Sequence, residues 1–92
     1  MTAIISNLHF KPAPHLDVAA GLLGWIRVDV GPLRIDGIAL RRTRRGELAL
    51  AYPSRRDRQD REHTIVLPVS LEDEIAIERA VMAELKRRGE AQ

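Results

Sequence analysis

Ser70-Leu-Glu-Asp-Glu-Ile-Ala-Ile-Glu-Arg-Ala-Val-Met-Ala-Glu-Leu-Lys-Arg-Arg-Gly89 reads as one α-helix from cap to stop. Ser70 is an N-cap residue, and Asp73 falls at the third helical position in the manner of a weak capping box. Glu72, Asp73 and Glu74 complement the positive end of the helix dipole, as Lys86, Arg87 and Arg88 complement the negative end. Gly89 supplies the left-handed residue that ends such a helix. At 100° per residue, Leu71, Ile75, Ile77, Val81, Met82 and Leu85 fall on one broad stripe, which needs a partner layer. Glu78 lies inside that stripe and is expected either at its rim or paired with an arginine of the sheet, because a carboxylate buried alone is costly.

The partner layer lies upstream, where the period is 2. Ile4 to Phe10 alternates, with Ile4, Leu8 and Phe10 on one side and Ile5, Asn7 and His9 on the other. Residues 11–21 hold Pro12, Pro14 and Gly21 and read as a loop. A second strand, from Leu22 or Leu23 to Val30, sets Ile26, Val28 and Val30 against Trp25, Arg27 and Asp29, and Gly31-Pro32 reverses the chain. The third strand, Leu33 to Arg42, slips phase at Gly37, the mark of a β-bulge. A turn at Asp36-Gly37 is the rival reading and leaves two very short strands. Thr43 to Gly46 is a polar turn, Glu47 to Tyr52 a fourth strand stopped by Pro53, Ser54 to Glu62 a solvated charged loop, and His63 or Thr64 to Leu67 a short strand before Pro68. The expected fold is therefore α+β, a four- to five-stranded and mainly antiparallel sheet followed by one long C-terminal helix over 70–89. Residues 1–92 are too few for more than one useful core, so a single domain is expected, and self-association would help it.

Composition narrows function. With no cysteine there are no disulfides, thiolate metal sites or cysteine nucleophiles. The opening residues show no signal-peptide pattern and no apolar run has membrane-spanning length, which places the chain in the cytoplasm as an expectation, with no membrane partner. The net charge of +2 conceals a segregation: residues 41–61 hold eight arginines against Glu47, Asp57 and Asp60, while residues 70–84 hold five carboxylates against Arg79. His9, His15 and His63 are dispersed without ligand spacing, so no metal is expected. Ser6, Ser54 and Ser70 lack a nucleophile-elbow setting and no phosphate-cradling glycine loop occurs, so neither catalysis, a cofactor nor a small-molecule substrate is expected.

Residues 25–89 also resemble the stage V sporulation protein G family. The most specific part is Gly46-Glu-Leu-Ala-Leu-Ala-Tyr-Pro-Ser-Arg-Arg56, similar to that family's glycine, apolar strand and Pro-Ser-Lys-Arg, with Arg55 standing for the lysine. Ile77-Glu-Arg-Ala-Val-Met82 and Arg88-Gly89 resemble its helix. Leu67-Pro68 departs from the family's His-Pro, and residues 11–21 look like an insertion. The resemblance implies a bacterial homodimer that binds DNA, and in some members RNA, in septation, sporulation or virulence regulation. Phosphate contacts are expected from Arg55, Arg56 and Arg58, with help from Arg44, Arg45, Arg87 and Arg88. Trp25, with Arg27 on the same face, is expected to pack at the dimer interface or under the loop of residues 11–21, with base stacking as the alternative. The rival function is a dimeric adaptor whose basic loop docks on an acidic protein.

Overall fold

The computed structural model describes residues 5–90, so Ile4 lies outside the described residues. The order is β1 (Ile5–Pro12), α1 (His15–Ala19), β2 (Leu22–Val30), β3 (Leu33–Arg42), β4 (Leu48–Ala51), β5 (Ser54–Arg56), β6 (Glu62–Thr64) and α2 (Leu71–Arg87). The first four strands form one antiparallel sheet in chain order, and β5 and β6 form a separate two-stranded ribbon. The α+β class, the antiparallel sheet and the terminal helix are those expected from the sequence.

One face of the sheet carries the core. Leu8, Ile26, Val28, Ile35, Ile38 and Leu40 are buried against Ile77, Val81 and Leu85 of α2, and no polar or charged side chain among the described residues is buried with them. Helix residues 77, 81 and 85 are four apart and form a line one helical ridge wide. Leu71 and Ile75, expected in the packed stripe, lie on its flank and are exposed, because a helix crossing a twisted sheet touches it along a narrower strip than its apolar face offers. Glu78 is half-buried beside Ile75 and Met82 and makes no ion pair among the described residues, which puts it at the rim.

The caps follow the sequence. Ser70 Oγ accepts a hydrogen bond from the Asp73 amide at 3.1 Å, and Glu90 N donates to Leu85 O across Gly89, whose φ is +73°. Gly37, at φ +87°, sits in a bulge that adds one residue to β3 between the pairs Ile26–Ile38 and Val28–Ile35.

Three expectations change. Besides the register shifts in the β2–β3 pair, a bulge lies in β1 between Ser6 and His9, where Asn7 takes a φ of +50°. It turns Ile5 to the core side together with Leu8 and Phe10 instead of leaving Ile5 opposite them. Residues 11–21 are not a bare loop: β1 runs to Pro12, and α1 follows, with Val18 N donating to Pro14 O at 3.1 Å. The charged loop from Ser54 to Glu62 is a β-hairpin, and its second strand ends at Thr64, short of the expected Leu67.

Candidate nucleic-acid interface

The hairpin carries Arg55, Arg56 and Arg58 and is built around one carboxylate. Asp57 Oδ1 accepts from the amides of Gln59 and Arg61 at 2.8 and 2.9 Å, which folds the turn, and Asp57 N donates to Arg61 O. Asp57 Oδ2 lies 2.7 Å from His63 Nε2 and 3.4 Å from Arg61 Nε. The hydrogen bond from His63 is the main reason that the Asp57 carboxyl titrates below its ordinary range, followed by the Arg61 backbone amide. Ser54 Oγ donates to Glu62 Oε1 at 2.6 Å across the ribbon. Arg56 is drawn to Asp60, at 3.2 Å from Oδ1 and 3.1 Å from the carbonyl oxygen, and Arg61 to Asp57. Arg55 and Arg58 are exposed and have no ionic partner among the described residues.

The second basic cluster caps the β3–β4 turn. Glu47 N donates to Thr43 Oγ1, Thr43 N donates to Glu47 O, and Gly46 has a φ of +81°. Arg44 and Arg45 stand at the tip of this turn, exposed and without ionic partners, whereas Arg42 donates to Gly46 O at 3.2 Å. This turn lies at the Gly21 end of the sheet, where Arg42 N donates to Gly21 O at 2.7 Å. The hairpin springs from the opposite end of β4, anchored by Ile65 N donating to Pro53 O. The two clusters are therefore separate. At roughly 3.3 Å per residue, the span from Glu47 to Tyr52 holds their bases about 17 Å apart.

Arg87 and Arg88 are engaged elsewhere. Arg87 Nε and Nη2 donate to the two oxygens of Glu84 at 2.8 and 2.7 Å. Arg88 donates to Glu84 at 3.2 Å and, through Nη1, to the Leu8 carbonyl of β1 at 2.7 Å. The Arg87 guanidinium holds the Glu84 carboxyl down to about 2, with Arg88 adding to the effect. These arginines tie the end of α2 to itself and to the first strand.

Trp25 and Arg27 lie on the face of the sheet turned away from α2, since they alternate with buried Ile26 and Val28. Both are half-buried. Pairing places Trp25 in a row with Lys11, Ala39 and Ala51, flanked by Arg41–Ala49 on one side and His9–Arg27 on the other. Lys11, Arg27 and Arg41 have no ionic partners among the described residues. Asp29, on the same face, is ion-paired with Arg34 at 2.7 Å and accepts a hydrogen bond from Asn7 Nδ2 at 2.9 Å, and its carboxyl is held at about 2 by the Arg34 hydrogen bond first and that of Asn7 second. The gathering of Lys11, Arg27 and Arg41 was not read from the sequence because it depends on strand register. Their shared phase with Trp25 and Ala39 was the available signal. No known family, curated protein or solved structure matches the chain.

Proposed function

We propose that the protein binds nucleic acid through its phosphates and acts as a regulator of the kind implied by the sequence resemblance. The observation that carries this reading is the distribution of uncommitted cations: Lys11, Arg27, Arg41, Arg44 and Arg45 on the open sheet face and its end, and Arg55 and Arg58 on the hairpin, while the acidic start of α2 lies on the other side of the sheet. Mobile cations displayed without partners meet phosphates and release their counterions, whereas paired ones must first give up a carboxylate. A separation of about 17 Å between the two basic turns spans about five base pairs at 3.4 Å each, so one strand can engage both.

Self-association is part of the proposal. Ile65, Leu67, Val69 and Leu71 are 61, 65, 96 and 70% exposed, and Leu67 and Val69 line with Leu33 an apolar groove of about 460 Å³ beside Tyr52 and Ile77. Such a strip beside an unpaired sheet edge suits burial against a second copy.

The test is a salt titration of labelled duplex and single-stranded DNA and RNA with wild type, Arg44→Ala/Arg45→Ala and Arg55→Ala/Arg58→Ala. Each lost phosphate contact lowers the slope of log affinity against log salt by about 0.9 on duplex and about 0.7 on single strands. Each pair should thus lower the duplex slope by about 1.8 with little change in sequence preference. If wild type binds none of these polymers at low salt, the reading falls and an adaptor for an acidic protein takes its place.

A further inference from the structure

We propose that the sheet face turned away from α2 is a stacking platform for single-stranded nucleic acid, with Trp25 receiving a base and Lys11, Arg27 and Arg41 holding the phosphates on either side of it. The inference rests on the nucleic-acid reading and adds a second surface of different chemistry to the two basic turns.

The face is shaped by small residues. In the central row, Lys11 is followed by Trp25, Ala39 and Ala51, and Ala49 stands opposite Arg41 in the next. Strands about 4.8 Å apart carrying only methyl groups leave a shallow floor beside the indole. On the other side of Trp25 lies a cleft of about 340 Å³ bounded by His9, Lys11, Trp25, Arg27 and Asp36. A half-buried indole between that alanine floor and the cleft gives a base a planar partner, and base–aromatic stacking tolerates any sequence. Asp36 is the one carboxylate in the cleft, and Lys11 and Arg27 share its lining.

Duplex DNA does not suit this face. Its bases stay stacked on each other, and a sheet face floored with alanine presents no helix or ribbon that could enter a groove. A second copy does not suit it either. A two-fold contact sets a face against itself, which would bring the Lys11, Arg27 and Arg41 patch of one copy against that of the other, with Asp36 alone to offset it. A single strand supplies both the planar bases and the phosphates.

Trp25 is the only tryptophan, so its emission reports on this face alone. The experiment titrates wild type with oligo(dT) of twenty nucleotides and with a duplex of equal length at 50 mM salt, following tryptophan emission and the anisotropy of labelled strands. Saturable quenching by oligo(dT) is expected, with Trp25→Ala weakening its binding about 5- to 150-fold while duplex binding changes little. Arg27→Ala and Arg41→Ala should each lower the single-strand salt slope by about 0.7, and Trp25→Phe should keep part of the affinity. Circular dichroism checks each fold. Oligo(dT) binding that leaves the emission unchanged overturns the platform and spares the nucleic-acid reading, as does a folded Trp25→Ala variant that binds oligo(dT) with wild-type affinity. Absence of binding to either strand form removes both.

Discussion

Gly24 tests how closely the first two strands meet. It is the third residue of β2, on the core side, and a Cβ placed there would stand 2.5 Å from the Lys11 carbonyl oxygen and 2.6 and 2.8 Å from two carbons of the Phe10 ring. The backbone of Gly24 is not in the left-handed region, so strand conformation alone predicts that Gly24→Ala stabilises the protein by about 0.5–1 kcal/mol. Sterics predict the opposite. Ordinary contact begins near 3.4 Å, so the carbonyl of β1 has to retreat by almost an ångström, against the neighbouring hydrogen bond from Ala13 N to Leu23 O and the seat of Phe10 on the core. Overpacking of this kind costs about 1–3 kcal/mol, which outweighs the gain. With about 4–8 °C per kcal/mol for a domain of this size, Gly24→Ala should melt roughly 5–15 °C below wild type. Gly37→Ala is the contrast: nothing lies near its Cβ, yet φ is +87°, so its cost of about 1–2 kcal/mol is conformational. Phe10→Leu should recover part of the loss in Gly24→Ala, since the ring clash is relieved and the carbonyl clash is not, and should recover none in Gly37→Ala. Thermal melts followed by circular dichroism decide it. A Gly24→Ala protein melting at or above the wild-type temperature would refute the close approach of β1 and β2.

Two further outcomes are expected. Asp29 and Glu84 both have folded carboxyl pKa values near 2, below ordinary values of 3.8 and 4.5, so the stability they contribute is complete above about pH 5 and is lost as the pH falls toward 2. Melts between pH 2 and 6 should show that decline, flattened in Asp29→Asn and Glu84→Gln; a profile unchanged by either substitution would contradict the pairings. Leu67→Lys, which charges the exposed apolar strip, should convert a dimer at micromolar concentration to a monomer by light scattering without lowering helix content, and a wild type that is already monomeric would remove the strip as an interface.

Legibility in the sequence followed how local the determining physics is. The helix from Ser70 to Gly89 announces itself through its cap, its terminal charges and its stop, all set within a turn or two of chain. The bulge at Gly37 was readable because glycine coincides with a slip in alternation. The bulge at Asn7 produces the same slip with a residue that tolerates φ > 0 without requiring it, so the alternation read straight through and put Ile5 on the wrong side. Asparagine at that point was the usable hint. The β5–β6 hairpin leaves no apolar period because both its faces are solvated. It is held by polar bonds from Ser54 and Asp57 that only the folded turn reveals. For the candidate interface, sequence located the arginines, but which are free depends on partners: Arg87 and Arg88 are spent on Glu84 and Leu8, while Arg41 and Lys11 gain significance from the strands beside them.

The bond from Arg88 to the carbonyl of Leu8 joins positions eighty residues apart. During synthesis at about 5–20 residues per second, β1 waits roughly 4–16 s for that guanidinium to be made. In that interval Ile26, Val28, Ile38 and Leu40 have emerged but the helix that covers them has not. Until α2 is made, the nascent sheet has a one-sided apolar surface, and the element that covers it is the last of the described fold to be synthesised.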